Sequence, residues 1–206
     1  MQKDNLLTSS WNKSETVNQK PIKQRPAKLL PSPLLSAAFL LHEIAPYLPY
    51  KLKCQVKDKK KTVVAQLNAV YSDGSCTFHS LVESDKGFKE VKPILRPLHD
   101  MNKEIEHNGE KFIPMVVLCR EYGRREPDNR TFNGPESSIV LMHADNSGGC
   151  KYWFVYHPED MRFELSDDAK GMHSQELPQY PMFQKLFEWH FDVFGLIAKG
   201  QAVSQK

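Results

Sequence analysis

Apolar positions along the chain switch between two spacings, and the switches mark out a sequence of elements. Over residues 33–45, Leu34, Leu35, Ala38, Leu41, His42 and Ala45 recur at helical intervals behind Pro33, and Pro46 and Pro49 stop the run. The spacing then becomes two. Leu52, Cys54 and Val56 share one face of a strand over Leu52–Lys57, Asp58-Lys59-Lys60 turns the chain, and Thr62–Tyr71 returns. Ser72-Asp73-Gly74 is a hairpin signal because Asp-Gly supplies the positive φ such turns need. A third strand follows over Cys76–Leu81, with Cys76 and Phe78 on one face and Thr77 and His79 on the other. Pro93 and Pro97 punctuate the next stretch, and Leu98–Glu106 reads as a short helix. His107-Asn108-Gly109-Glu110 reads as a tight turn into an apolar strand over Phe112–Cys119. Residues 120–137 are polar and read as loop. Ile139–His143 and Tyr152–His157 form a hairpin about Asp145–Gly149. Phe183, Phe187, His190, Phe191, Phe194 and Ile197 predict a core helix over 183–199, with Gly200 in the left-handed position just past its end. The sum is one α+β domain over 29–206, a twisted antiparallel sheet packed by the 33–45 and 183–199 helices.

Residues 1–28 break this pattern. They are rich in Lys, Gln, Asn and Ser and read as a flexible basic arm whose one large anchor is Trp11. For the whole 206 residues, 40% hydrophobic and 26% charged content suits a globular domain and argues against a wholly disordered chain. No apolar run reaches the roughly 18 residues that a bilayer-spanning helix needs. The Leu34–Leu41 run reads as part of the domain's first helix rather than as a signal segment, being split from the basic stretch by Pro31 and Pro33. Cys54, Cys76, Cys119 and Cys150 are widely spaced and read as free thiols in a reducing compartment. Charge is placed unevenly. Residues 1–61 hold twelve basic and four acidic side chains, a net of +8, and residues 62–206 hold sixteen and twenty-one, a net of −5. The overall +3 therefore hides a basic front.

The segments Glu43–Tyr50, Val70–His79, Lys92–Leu98, Lys103–Phe112 and Lys185–Ile197, with wordings such as Val-Tyr-Ser-Asp-Gly-Ser-Cys-Thr-Phe-His and Lys-Leu-Phe-Glu-Trp-His-Phe-Asp-Val-Phe-Gly, resemble a family of small proteins encoded by phages and prophages of Bacteroidota. The resemblance covers about residues 40–118 and 183–201. It implies a phage origin and a bacterial cytoplasm, and it carries over no catalytic residue. The arm 1–28 and an enlarged region at about 120–180 depart from the family's pattern.

The remaining chemistry points to binding rather than catalysis. Zinc sites need paired ligands two to four residues apart. His99 and His107 are separated, Cys119 and Cys150 stand alone, and His190 with Asp192 has a spacing that places them on different helix faces, so no metal or cofactor is expected. Cys76 and His79 point to opposite faces of their strand, and no nucleophile elbow, phosphate loop or dinucleotide fingerprint occurs. Basic residues do cluster. Lys51, Lys53, Lys57, Lys59, Lys60 and Lys61 crowd one hairpin, the arm adds Lys20, Lys23, Arg25 and Lys28, and the loop adds Arg120, Arg124, Arg125 and Arg130 beside Tyr122. These side chains suit phosphates, and Tyr152, Trp153, Phe154 and Tyr156 would add stacking planes if one strand face were open. The expectation is a non-catalytic accessory protein that binds a host protein or ribonucleoprotein, in its most specific form an inhibitor of a host defence nuclease of the anti-CRISPR kind. Direct RNA or DNA binding through the same basic residues is the alternative, and an enzyme with an unrecognised site the second. No membrane role is expected, and the oligomeric state is left open.

Overall fold

A computed structural model describes residues 41–58, 61–73, 75–79, 86–87, 91–125, 127, 130–133, 139–144, 151–167 and 173–205, all within one compact unit, Ser32–Lys206. Trp11 and the arm, Lys20, Lys23, Arg25, Lys28, residues 33–40 of the first expected helix, Lys59, Lys60 and the 145–149 loop lie outside the described residues.

The fold is α+β. Thirteen strands among the described residues divide between two main sheets and one small hairpin. The first sheet contains β1 (Lys53–Asp58), β2 (Lys61–Val70), β3 (Ser75–His79), β4 (Lys86–Gly87), β5 (Val91–Leu95) and β13 (Val203–Ser204), in the order β13-β5-β1-β2-β3-β4. Its pairings are antiparallel except that β13 runs parallel to β5. The period-two reading of this region holds. Leu52, Cys54, Val56, Cys76 and Phe78 are buried, while Lys53, Lys57 and His79 are exposed. Asp73 closes the β2–β3 turn, its Oδ1 accepting from the Ser75 N–H at 2.9 Å and the Ser75 hydroxyl at 2.7 Å, bonds that hold its carboxyl below the usual range.

The second sheet is a meander of β8 (Arg130–Asn133), β9 (Ile139–Ala144), β10 (Lys151–His157), β11 (Arg162–Asp167) and β12 (His173–Glu176), each antiparallel to the next. So the polar stretch expected as loop contributes β8, and the acidic stretch after His157 enters β11. Tyr152, Phe154 and Tyr156 alternate inward onto Phe163 and Leu165, and all five are buried. Between the sheets in sequence lie a 3₁₀ turn at Leu98–Asn102 and the hairpin of β6 (Ile105–His107) and β7 (Glu110–Phe112). Asn108 and Gly109 take φ of 53° and 84°, the two positive values that a tight two-residue hairpin requires.

Three expectations change. Leu98–Glu106 shortens to the 3₁₀ turn, because Ile105 pairs with Phe112. The strand expected over Phe112–Cys119 is instead α1 (Pro114–Glu121). Val116 and Val117 favoured a strand, but Pro114 cannot donate to a ladder and suits the first helical position, with Ile113 extended before it. Gly123 is needed after α1, since a β-carbon there would lie 2.7 Å from the Cys119 carbonyl oxygen. The long helix expected over 183–199 is α2 (Gln179–Glu188), followed by turns. Its end is a Schellman closure: the His190 N–H reaches the Phe187 carbonyl at 3.0 Å and the Phe191 N–H the Leu186 carbonyl at 2.9 Å. A second closure of the same kind uses Gly200, with Gly200 N–H on Ile197 at 3.0 Å and Gln201 N–H on Leu196 at 2.8 Å. Gly200 therefore occupies its expected left-handed position, at the end of a single turn.

Two apolar cores result. One joins the second sheet to α1, α2 and Trp189, and the other joins the first sheet to Ile44, Tyr47, Leu196 and Ala202. Phe187 and Phe194 pack against both. Among the described residues no helix is long and apolar enough to cross a membrane.

Candidate functional site

The outward face of the first sheet follows from the register. Lys53, Gln55 and Lys57 of β1 lie opposite Gln66, Val64 and Thr62 of β2, and Gln55 also lies opposite Lys92 of β5. Lys53, Lys57, Lys92 and His79 are exposed, and Val64 keeps 59% of its surface. Strand alternation puts no carboxylate on this face among the described residues of β1, β2, β3 and β5.

Where β1 and β5 leave this face, the sheet borders a cleft of about 600 Å³. Its walls come from four places: Tyr50 and Lys51 at the end of the 3₁₀ turn Ala45–Tyr50, Lys53 on β1 with Arg96 just past β5, His107 at the end of β6, and Glu188 and His190 at the end of α2. The Arg96 guanidinium braces it, donating from Nε to the Trp189 carbonyl at 3.2 Å and from Nη2 to the Glu106 carbonyl at 2.6 Å. The backbone is tied as well. The Arg96 N–H donates to the His190 carbonyl at 2.7 Å and the Asp192 N–H to the Arg96 carbonyl at 2.8 Å.

The two imidazoles meet edge to face, with centroids 5.8 Å apart. His190 Nε2 lies 2.8 Å from the Tyr50 carbonyl, which can only accept, so Nε2 carries the proton and the neutral ring keeps its lone pair on Nδ1. Burial lowers the pKa of both rings. For His190 the Tyr50 bond opposes this while His107, Arg96 and Lys53 add to it, and for His107 Arg96 and Lys185 add to it against Glu188. Both rings are thus held neutral near pH 7 among fixed cations. Glu188 is paired with Lys185 at 3.2 Å.

Lys51 and His190 take φ of 57° and 61°, a region that costs a residue with a β-carbon about 1–2 kcal/mol. At His190 this is the Schellman position that glycine usually holds. Both residues line the same cleft.

Of the residues singled out from sequence, Lys51 and Lys53 therefore share the cleft, Lys53 and Lys57 share the open face, and Lys61 begins β2 at its exposed end. The arginine loop is elsewhere, on the second sheet's side. Arg120 is exposed at the end of α1, and Tyr122, Arg124 and Arg125 line a separate recess with Gln175 and Leu177. Burial, a hydrogen bond donated to the Glu121 carboxylate and that carboxylate's charge push the Tyr122 phenol up to about 12. Arg125 lies 5.8 Å over the Tyr152 ring. Arg130 begins β8. Of the four aromatics that would offer stacking planes if a strand face were open, Tyr152, Phe154 and Tyr156 are core side chains, and Trp153 on the other face is half-buried. His190 and Asp192 do separate, though not as two faces of a helix. His190 faces the cleft, and the buried Asp192 carboxylate accepts from Leu196 N–H at 2.7 Å and Ile197 N–H at 2.8 Å. Among the described residues no group of three potential ligands could hold a metal ion.

Sequence reasoning missed Lys92, Arg96, His107 and His190. The alternation of buried Val91, Pro93 and Leu95 with outward Lys92, Ile94 and Arg96 was available as a signal, but the prolines masked it as loop. No family model matches the chain, and no curated protein or solved structure shows detectable similarity to it.

Proposed function

We propose that the chain is a non-catalytic accessory protein of phage or prophage origin that binds a phosphate-rich macromolecule of its bacterial host through the open face of the first sheet. The observation that carries this reading is the row of exposed Lys53, Lys57 and Lys92 on one sheet face without a carboxylate among its described residues. Such a face attracts a polyanion by releasing its condensed counterions, with no need for a sequence-reading motif. The polyanion is RNA or DNA, either free or displayed on a ribonucleoprotein, and occupancy of a guide-bearing defence nuclease is the most specific form of the idea.

The test uses the full chain immobilised against host lysate, with and without nuclease treatment, beside the triple variant Lys53→Gln, Lys57→Gln, Lys92→Gln. Capture of nucleic acid that the triple variant loses supports the reading. Loss of protein partners on nuclease treatment identifies a ribonucleoprotein. Capture of protein alone, indifferent to nuclease and to the three lysines, refutes it. With a purified strand, each single substitution is expected to lower the slope of log affinity against log salt by about one.

A further inference from the structure

We infer that the cleft formed by Lys51, Lys53, Arg96, His107 and His190 is a binding site for the phosphate group of a nucleotide. The inference rests on the reading of the adjoining face, because Lys53 belongs to both.

Three observations support it independently of one another. The first is composition: three fixed cations and two imidazoles converge on about 600 Å³ from four separate stretches of chain. The two carboxylates on its walls do not cancel them, since Glu188 is engaged by Lys185 and Glu106 is exposed beside the guanidinium that its own carbonyl anchors. The second is rigidity. Arg96 is held by two carbonyl acceptors, and a guanidinium has five N–H donors, so these bonds leave donor capacity on a fixed plane. His190 is fixed by its bond to Tyr50, and that bond decides which nitrogen faces away from the backbone. The third is backbone conformation. His190 stands in a helix-closing position where glycine would cost less, and Lys51 takes the same left-handed conformation across the cleft. The His190 imidazole offsets part of that cost through its bond to Tyr50, and a ligand touching both the Lys51 ammonium and the His190 ring would offset more of it.

The ligand class follows from the groups. The lysines, Arg96 and His107 can donate to an oxyanion from several directions, as a tetrahedral phosphate requires, and His190, whose N–H is given to Tyr50, joins them when its Nδ1 takes up a proton on binding. Tyr50, Pro49 and Ile94 add apolar wall next to these donors, room for the body of a nucleotide rather than a bare ion. The phosphate can belong to a free mononucleotide or to a residue of a strand lying along the lysine row.

The test is a titration of the full chain followed by the histidine ring resonances, with 5′-AMP, a short single-stranded oligonucleotide and unphosphorylated adenosine as probes. The variants are Lys53→Gln and His190→Gly, the second chosen because glycine keeps the left-handed closure without the ring. Melting curves confirm that both are folded. The expected result is that the AMP or the strand shifts both His107 and His190 signals, adenosine does not, and each variant weakens binding about ten-fold. Response to AMP alone assigns a free nucleotide, and response to the strand alone assigns strand phosphate. Adenosine binding as well as AMP overturns the inference. So does salt-sensitive oligonucleotide binding that leaves both histidine signals unmoved, and in that case the lysine face stands without the cleft.

Discussion

Replacing Tyr47 by phenylalanine isolates one hydrogen bond at the junction of the two cores. Tyr47 is fully buried, its ring edge-on to Phe187 at 5.0 Å and to Phe194 at 6.4 Å, and phenylalanine keeps both contacts. What is lost is the hydroxyl, which donates to the Phe191 carbonyl at 2.6 Å and accepts from the Val193 N–H at 3.3 Å. The carbonyl and the amide then have only each other, at 2.9 Å across a bent two-residue turn. A neutral hydrogen bond contributes about 1 kcal/mol, and a buried carbonyl left with a poor partner adds part of a further 1–3 kcal/mol, so Tyr47→Phe should cost about 2 kcal/mol. That corresponds to roughly a thirty-fold change in the folding constant. Tyr47→Ala, which also opens a cavity, should cost about 3–5 kcal/mol. Urea unfolding followed by tryptophan fluorescence reads the difference, since Trp189 is buried in the neighbouring core, and the slope should stay unchanged while the midpoint falls. A second readout is alkaline. Burial raises the Tyr47 phenol far above its ordinary 10, so its contribution is complete below pH 10 and is lost as pH rises beyond it. Tyr47→Phe should remove that part of the alkaline loss. A Tyr47→Phe protein within about 0.5 kcal/mol of wild type, or as unstable as Tyr47→Ala, would refute the accounting.

Burial pushes the Cys76 thiol up to about 11 and Cys54 higher still, so stability should begin to fall above pH 9 by up to about 1.4 kcal/mol per pH unit for each thiol, and a Cys54→Ala, Cys76→Ala protein should show a shallower fall in denaturant titrations across pH 8–10.5. His107 and His190 are depressed by burial, so their contribution is present above pH 6.5 and lost as pH drops below it; His107→Gln should flatten the acid limb of a melting-temperature profile, and an unchanged limb would contradict the placement. His190→Gly should be more stable than His190→Ala by about 1 kcal/mol, because both lose the bond to Tyr50 and only glycine accepts a φ of 61° without strain.

The first sheet was legible where alternation was local. Cys54, Val56, Cys76 and Phe78 face inward as their spacing implies, and Asn108-Gly109 turns the chain where the dipeptide says it should. Helix ends were less legible. The run from Phe183 to Ile197 keeps a helical spacing, yet the backbone closes at His190, and only glycine is a strong sequence signal for such a closure. α1 was hidden by β-branched residues whose preference Pro114 overrides. The site was the least legible part. Its lysines could be read from composition, but Arg96 reaches His107 through β6 and His190 through the Trp189 carbonyl, pairings separated by up to 94 positions in the chain that no local pattern announces.

The position of the cleft has a mechanical reason. Phe187 and Phe194 belong to both cores, so α2 and the turns after it are clamped from two sides. Arg96 extends β5 into this clamp by a parallel bridge to Phe191 and the two backbone bonds to His190 and Asp192. The buried Asp192 carboxylate then fixes the following turn by capping Leu196 and Ile197, although burial raises its pKa and so favours the uncharged form. Every wall of the cleft except the tip of the β6–β7 hairpin is therefore attached to a core residue within a few positions. Arg96 and His190 are held in this way, which limits the reorganisation needed of them when an anion enters. The hairpin tip is the exception: Asn108 and Gly109 are exposed, and His107 sits at its base. Adjustment to ligands of different size should fall on that hairpin, with His107 moving relative to a stationary His190 and Arg96.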